Sequence, residues 1–301
     1  MGGSGGNFNG YKSINTTEKL LSSAKGAQTS QQEIEINEFL EELLKEYNNR
    51  DVDAIHKHLE EIQKTLLHEI EGLEKILFGG SLSKHTFIEG MSDIDALVIL
   101  KKEDYKNVSP KDLKQAFYDM LHKRFPHTEI NLGALAVTLK FKDYDIQLLP
   151  SIKENGKLRI SNEDGTKWSS LINSATFTKK LTQMNKANDN KVVPVIKISK
   201  SLLSNLPEKY RMSGYHIESL AVEAFSNYNG RYTLYDMTKH FLDYSIKRVL
   251  HPFSDVTGQS GIIDDNLGIA NSISRQNLSK YLIDIFQRFS GSTSVAKELF
   301  K

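Results

Sequence analysis

The chain has 301 residues, with 39 Lys and Arg against 38 Asp and Glu, a formal net charge of +1 and no cysteine. The near-zero charge argues against a broad cationic surface for long duplex DNA, so that partner is not expected. Disulfides and thiolate metal sites are excluded. No apolar run reaches the roughly 20 residues that cross a bilayer, and we expect a cytoplasmic protein without membrane contact.

The N-terminal part predicts a flexible segment followed by two helices. Residues 1–30 are rich in Gly, Ser, Asn, Thr and Gln, a composition typical of a mobile segment. Residues 31–48 predict a short acidic amphipathic helix. Apolar residues spaced by threes and fours predict a longer spine helix from about Asp53 to Phe78, which would brace two lobes and lead directly into a Gly-Gly turn. Its apolar positions are Ile55, Leu59, Ile62, Leu66, Ile70, Leu73 and Ile76.

The segment GGSLSKHTFIEGMSDIDALVIL, which begins at Gly79, is the most specific motif of the chain. A Gly-Gly-Ser turn lets the main chain approach a phosphate, with the N–H groups of Gly80 and Ser81 and the Ser81 hydroxyl as donors. Asp93 and Asp95 lie two residues apart at the start of an apolar strand, so they project from the same face. Paired carboxylates raise each other's pKa unless a cation lies between them, and oxygen ligands suit Mg²⁺. The motif predicts nucleotidyl transfer.

A helix and two strands are predicted after this motif. Ser109-Pro110, with an acid at Asp112, predicts the start of a helix that ends near residue 124. Alternating apolar residues predict one strand over residues 131–141 and a second over residues 144–149, closed by Pro150.

The second strand also carries the candidates for a third carboxylate, which a two-metal site usually takes from a neighbouring strand. Asp145 and Asp143 have the same parity in this strand. We favour Asp145 because it lies inside the strand, where its position can be rigid, whereas Asp143 lies at the turn and is the alternative. The predicted catalytic residues and metal ligands are therefore Asp93, Asp95 and Asp145, with two Mg²⁺ ions as cofactors and Mn²⁺ as an alternative ion.

The C-terminal half predicts a helical lobe. Helical patterns cover residues 170–186, 191–206, 214–228, 233–250 and 276–290, and residues 252–267 are too rich in Gly, Ser and Asp for regular structure. The predicted organisation is a flexible segment (1–30), an α/β nucleotidyltransferase core with its spine helix (31–155) and a helical lobe that closes the nucleotide cleft (156–301).

The run GGS…SDID, together with the later Asp of DIQLLP, resembles the template-independent nucleotidyltransferases typified by oligoadenylate synthase and cyclic GMP-AMP synthase. It resembles more closely their bacterial relatives, the CD-NTases of CBASS anti-phage systems. The resemblance covers nearly the whole chain and implies an α+β fold with a polymerase-β-like core, a long spine helix and a C-terminal helical lobe.

The resemblance also implies an activity. ATP, GTP or pyrimidine NTPs would be joined into a cyclic di- or trinucleotide with release of pyrophosphate, and this messenger would activate a separate effector protein in phage defence. A regulatory partner protein is a further expected partner. Two alternatives stay open: a nucleotidyltransferase with another acceptor (an antibiotic, a tRNA 3′ end or a protein hydroxyl), and a nucleotide-binding regulator without catalysis.

Further nucleotide-binding residues follow from the resemblance alone. The helix of residues 192–200 is similar to one that brings a lysine to the donor triphosphate, which implies a contact by Lys197 and a second by Lys200. The run GYHIE from residue 214 resembles a Ser-Tyr-His-x-Glu stretch in which the tyrosine stacks on a base and the serine touches phosphate. Here Tyr215 is kept, glycine replaces the serine, and Ser213 lies one residue earlier. The alternatives without nucleotide contact are a solvated helix face for the two lysines and core packing for Tyr215.

Overall fold

The computed structural model describes residues 12–48, 52–78, 81, 84–88, 94–105, 107–133, 135–142, 144–161, 166–168, 175–254, 256–257 and 263–301, with backbone only for residues 12–29, 52–56 and 78. Within these residues the α-helices and strands, in chain order, are α1 (Lys12–Asn48), α2 (Val52–Glu69), β1 (Leu73–Phe78), β2 (Ile94–Lys101), α3 (Lys102–Tyr105), α4 (Pro110–Arg124), β3 (Glu129–Leu132), β4 (Val137–Lys140), β5 (Asp145–Glu154), β6 (Lys157–Ile160), α5 (Ala175–Ala187), α6 (Val192–Ser204), α7 (Gly214–Ala224), α8 (Leu234–Arg248), α9 (Ile273–Phe289) and α10 (Thr293–Glu298).

The strands form one mixed sheet of order β1-β2-β5-β4-β3, with β6 also paired to β5. Strands β2 and β5 run parallel at its centre, and the other pairs are antiparallel. One sheet face packs against α2 and α4, whose buried residues Leu59, Ile62, Leu66, Phe117 and Leu121 share a core with the strands. The predicted α+β fold is confirmed, as is the predicted burial of Leu59, Ile62 and Leu66 on one face of α2.

The predicted spine helix is too long at its C-terminal end. Helix α2 ends at Glu69, and Gly72 takes a φ of +77°, a conformation that favours glycine. The chain then enters β1, which pairs with β2 from Leu73 opposite Leu100 to Phe78 opposite Ala96. A strand therefore leads to the Gly-Gly turn, because pairing with β2 outweighs an apolar spacing that a helix would also satisfy.

Two predicted strands also differ in extent. Residues 131–141 form parts of a hairpin, β3 and β4, because the chain turns back where the N–H of Gly133 donates to the carbonyl of Ala136. Strand β5 continues through Pro150 to Glu154. Strands β4 and β6 pair with the same edge of β5. Pairing with β4 ends at Leu148 and pairing with β6 begins at Ser151, so the missing N–H of Pro150 costs no hydrogen bond to β4 or β6.

Strand β6 was not predicted, although the sequence contains a local signal for it. Asn155 and Gly156 connect β5 to β6, with φ values of +50° and +76°. Asn-Gly is the pair that favours a two-residue hairpin turn. The pair therefore predicts this hairpin from local sequence alone.

Helix α1 begins at Lys12, well before residue 31, so the predicted start of this helix is wrong. Residues 1–11 of the predicted flexible segment lie outside the described part. In residues 12–30, each polar residue is only tenths of a kcal/mol less favourable in a helix than a good helix former. Extending an existing helix also costs less free energy than starting a new one, so α1 can include these residues.

The second hydrophobic core belongs to the helical lobe. It is built from α5 to α10 and from the buried residues Ile36, Leu40, Leu43 and Leu44 of α1. The five predicted helices of this lobe are confirmed within a few residues where the chain is described, and α10 is additional. No helix in the described part of the chain is long and apolar enough to span a bilayer.

Candidate active site

Strands β2 and β5 bring two of the predicted carboxylates to one face of the sheet. Asp95 lies opposite Gln147 in the parallel ladder, and Asp145 precedes Gln147 by two residues. Side chains alternate along a strand, so all three project from the same face. They are half-buried, whereas Ile94 and Ile146 are fully buried on the core face. With strands ~4.8 Å apart and a rise of ~3.3 Å per residue, the Cα atoms of Asp95 and Asp145 are about 8 Å apart.

Three other predicted residues, Gly80, Asp93 and the alternative acid Asp143, lie outside the described residues. Within the described part, no group of three or more His, Cys, Asp or Glu side chains is placed to hold a metal ion. The predicted trio is not tested by that finding, because it includes Asp93. Asp95 and Asp145 supply carboxylate oxygens only, and this donor set fits a hard divalent cation such as Mg²⁺.

Ser81 is the described residue of the Gly-Gly-Ser turn, and its position is tied to the chain that follows. It is buried, and its main-chain carbonyl accepts the N–H of Thr86 at 2.9 Å. The hydroxyl of Thr86 lies 3.4 Å from the same carbonyl. The peptide after Ser81 is therefore held in one orientation.

A buried polar cluster surrounds Thr86 and joins the two lobes. We call Lys84, Thr86, Lys200 and Glu218 the Glu218 cluster. Glu218 of α7 accepts hydrogen bonds from Lys84 and Thr86, and from Lys200 at 2.9 Å. Lys200 of α6 also donates to the carbonyl of Thr86 at 3.0 Å. The predicted helix of residues 192–200 therefore places Lys200 beside the turn.

The electrostatics of this cluster extend to Asp95. Burial raises the pKa of Glu218, but Lys84 and Lys200 more than offset it, so the pKa lies below its ordinary value. Burial lowers the pKa of Lys200, against the opposing charges of Glu218 and Asp95. The charge of Asp95 acts on Lys200 in the direction that favours the protonated form, although burial dominates and the pKa of Lys200 lies below its ordinary value.

Lys197 lies one helical turn before Lys200 and is also buried. Its ammonium donates to the side chain of Asn48, at the end of α1, at 2.6 Å. Both lysines of α6 are thus held by the protein, which excludes the alternative of a solvated helix face.

Ser213 and Tyr215 lie at the start of α7. Ser213 is the N-cap, and its hydroxyl accepts the N–H of His216 at 3.1 Å. A hydroxyl that accepts one hydrogen bond can still donate its own to another group. The half-buried ring of Tyr215 packs against Phe177 at 4.8 Å, and the ammonium of Lys84 lies 5.6 Å from its centroid. Tyr215 therefore lies between core packing and the Glu218 cluster.

Sequence reasoning missed the role of Glu218, although a signal was present. The residue lies in the segment HIESLAVEA, in which its neighbours Ile217, Ser219 and Leu220 are buried. A carboxylate on an apolar helix face is almost always paired. This pattern predicts a buried cationic partner but does not identify it.

The sequence DDNLG, which resembles a segment of CD-NTases without a derived role, begins with Asp264, the acid of a second buried network. Arg275 of α9 is 0 % exposed and bonds to Asp264 through Nη1 at 2.6 Å and Nη2 at 3.1 Å. The ring of His216 stacks on Phe253, and its Nε2 lies 3.9 Å from Asp264. This nitrogen finds no hydrogen-bond partner among the described residues.

The environment of His216 predicts that the protein loses stability in mild acid. Burial lowers the pKa of His216 to about 4, with Arg275 and Arg248 adding to the effect and Asp264 opposing it. Since the folded pKa lies below the unfolded value of 6.5, the unfolded chain binds the proton more readily between pH 6.5 and pH 4. Between pH 7 and pH 4.5 this group should lower the free energy of unfolding by about 2 kcal/mol.

Urea unfolding at pH 7 and pH 4.5 measures this change. The variant His216→Phe can keep the ring stack on Phe253. In this variant the decrease in the free energy of unfolding from pH 7 to pH 4.5 should be smaller by about 2 kcal/mol. An equal loss in both proteins would assign the acid sensitivity to the carboxylates instead.

The matches to known proteins agree with this geometry. The family model of the Second Messenger Oligonucleotide or Dinucleotide Synthetase domain (SMODS) matches residues 31–185, slightly more than half of the chain. No curated protein matches the sequence significantly.

Several solved structures share the fold. A CdnE cyclic dinucleotide synthase of Elizabethkingia meningoseptica, solved with GTP and Apcpp, is 12% identical, with a TM-score of 0.59 over 77% of this chain and 92% of that one. CdnC of E. coli MS115-1, solved with ATP, is 19% identical, with a TM-score of 0.57 over 82% and 88%. DncV of Escherichia coli, in a 3′-deoxy GTP bound form, is 11% identical, with a TM-score of 0.59 over 96% and 90%.

At these identities the structural likeness shows the fold alone, and it confirms the predicted polymerase-β-like core with a helical lobe. The family model extends from α1 through the sheet and into α5, so it includes the paired acids and the Gly-Gly-Ser turn. The chain therefore belongs to the SMODS (CD-NTase) family of nucleotidyltransferases.

Proposed function

We propose that this protein is a template-independent nucleotidyltransferase that joins NTPs into a cyclic di- or trinucleotide second messenger. The observation that carries the proposal is the shared face of Asp95 and Asp145 on adjacent parallel strands, with the buried Lys200 hydrogen-bonded to Thr86, five residues after Ser81. Family membership and the cyclic dinucleotide synthase among the structural neighbours support it.

The chemistry joins two nucleotides at one site. A 3′ or 2′ hydroxyl of the acceptor forms a bond to the α-phosphorus of the donor NTP, and the bond from that phosphorus to the leaving oxygen breaks to release pyrophosphate. Asp145 is proposed to accept the hydroxyl proton. The linear product then rebinds, and a last transfer of the same kind, the second for a dinucleotide and the third for a trinucleotide, closes the ring.

The site residues divide this task. Asp93, Asp95 and Asp145 are proposed to hold Mg²⁺, which when bound supplies positive charge at the phosphate oxygens. Gly80, Ser81 and Ser213 are proposed to donate hydrogen bonds to phosphate. Lys197 and Lys200 would add positive charge from the positions in which the protein already holds them.

Tyr215 is proposed as a stacking surface for a base, because stacking tolerates any base. Its ring is half-buried and packs on Phe177, so its orientation is defined before a nucleotide binds. The alternative, core packing alone, predicts equal nucleotide affinity in the protein and in Tyr215→Leu.

The partners are proposed from the family and its relatives. The substrates would be ATP, GTP or pyrimidine NTPs, and the product would activate a separate effector protein in phage defence. CdnC has been solved in a complex with HORMA-deltaN, which supports a regulatory partner for this chain as well. Because the substrates are NTPs, we propose a cytoplasmic setting.

The test is product analysis by mass spectrometry after incubation of the protein with all four NTPs and Mg²⁺. A phosphatase-resistant cyclic product, formed with pyrophosphate release and without an added acceptor, is expected. Strict dependence on an antibiotic, tRNA or protein acceptor would contradict the cyclic product and favour the alternative transferase. The absence of pyrophosphate release with every acceptor, in a protein that binds NTPs, would indicate a non-catalytic regulator.

A further inference from the structure

Glu218 is the carboxylate that connects the candidate phosphate turn to the helical lobe. Its side chain is 1 % exposed, and it accepts hydrogen bonds from Lys84 and Thr86 of the α/β lobe and from Lys200 of α6. Thr86 in turn holds the carbonyl of Ser81. Through two hydrogen bonds in series, the orientation of the Ser81 carbonyl depends on Glu218.

The Glu218 cluster contains two cations for one anion. The side chains of Lys84 and Lys200 are 9 % and 6 % exposed, so both ammonium groups have lost most of their hydration. An ion pair that only joined the lobes would need one lysine, since each buried charge costs free energy unless it is paired. The second cation is thus a surplus relative to Glu218, and the charge of Asp95 also acts on it.

The surplus charge lies next to the proposed catalytic groups. Lys200 interacts with the charge of Asp95, and the ammonium of Lys84 lies 4.9 Å from the ring centroid of Phe177 and 5.6 Å from that of Tyr215. Cation–π contacts of this kind compensate in part for lost hydration. A triphosphate bound between Asp95 and Tyr215 would therefore meet two lysines whose positions are both set by Glu218.

We infer that Glu218 is a positioning residue for nucleotide binding, which holds Lys84, Lys200 and, through Thr86, Ser81 in the arrangement that receives the donor triphosphate. The inference rests on the proposed function and adds to it a residue that contacts neither the metal ion nor the nucleotide. It also assigns Lys84 to the triphosphate site, through its bond to Glu218.

Glu218→Gln tests the inference, because glutamine keeps the size of the side chain and removes its charge. The amide can still accept from Thr86 or Lys200, but it presents an N–H donor where Lys84 needs an acceptor. Steady-state kinetics at a temperature at which the variant is folded should show a KM for NTP raised at least about tenfold, with kcat changed less than about threefold.

Glu223→Gln is the matched control. Glu223 lies on the same helix, and its carboxylate accepts hydrogen bonds from Tyr244 at 2.6 Å and from Arg248 at 3.1 Å. The substitution therefore also removes a paired carboxylate from α7. These partners lie in the helical lobe, away from the turn. Its KM should stay within about twofold of the unmodified protein, because a general weakening of α7 does not displace Lys84 or Lys200.

Acetylation of lysines, followed by mass spectrometry, gives a readout that does not need turnover. In Glu218→Gln, Lys84 and Lys200 should react several-fold faster than in the unmodified protein and in Glu223→Gln, because the negative charge that favours the protonated form of both ammonium groups is lost. Unchanged reactivity at both lysines would overturn the inference, as would an equal rise in KM in the two variants.

The two proposals fail in different ways. A protein that forms no product from any NTP would contradict the proposed function, while the acetylation rates would still decide whether Glu218 holds the two lysines. An active protein in which Glu218→Gln leaves KM unchanged would overturn the inference and leave the proposed function intact.

Discussion

Asp145→Asn should lower the rate of nucleotidyl transfer by at least about 1,000-fold, which corresponds to ~4 kcal/mol of transition-state stabilisation. The amide keeps the shape of the side chain but loses the charge that binds a divalent cation and the oxygen that accepts a proton. Affinity for a non-hydrolysable ATP analogue should change by less than about threefold, because the turn and the lysines of α6 are untouched. Pyrophosphate release and analogue binding measure the two quantities separately.

Asp143→Asn is the matched control, since it makes the same change two residues earlier and tests the alternative third carboxylate. Near-normal turnover is expected, because Asp145 belongs to β5 and its backbone pairs with Lys140 of β4. Loss of turnover in Asp143→Asn alone would transfer the role to Asp143. Full activity in both variants would remove the third carboxylate from the mechanism.

Local sequence patterns were sufficient to predict the strands that carry Asp95 and Asp145. The period of two in β2 places Asp95 on the face opposite Ile94 and Ala96, and the burial of these residues follows that alternation. The start of α4 was equally local, since Ser109 accepts the N–H of Asp112 and Pro110 begins the helix. Side-chain direction and capping depend on neighbours within a few residues, so the sequence alone predicts them.

Contacts between distant segments could not be predicted in the same way. Residues 70–76 have a spacing that suits a helix, and only the hydrogen bonds of β1 to β2 make the segment a strand. The cluster around Glu218 joins residues more than a hundred positions apart, as in its bonds to Lys84 and Thr86. The resemblance to CD-NTases predicts Lys200 as a nucleotide contact, but the acceptor that holds Lys200 could be identified only in the folded structure.

Asp264→Asn should lower the free energy of unfolding by about 3–5 kcal/mol, the usual cost of removing one partner of a buried ion pair. Asp264 and Arg275 are both almost fully buried, and Arg275 also bonds to the carbonyls of Val249, His251 and Gly268. The guanidinium cannot lose its proton, so it would stay charged without its counterion. Since domains are stable by only about 5–15 kcal/mol, this single change should remove a large fraction of the stability.

Urea unfolding of the two single variants Asp264→Asn and Asp243→Asn compares the free energy lost with a buried ion pair and with an exposed one. Asp243 of α8 pairs with Lys247 at 2.9 Å on the surface, so its loss should cost about 0.5 kcal/mol or less. A difference below about 1 kcal/mol between the variants would contradict the assigned burial of the Asp264–Arg275 pair. A large difference would show that the attachment of Asp264 and its backbone partner Phe253 to α9 depends on one buried charge pair.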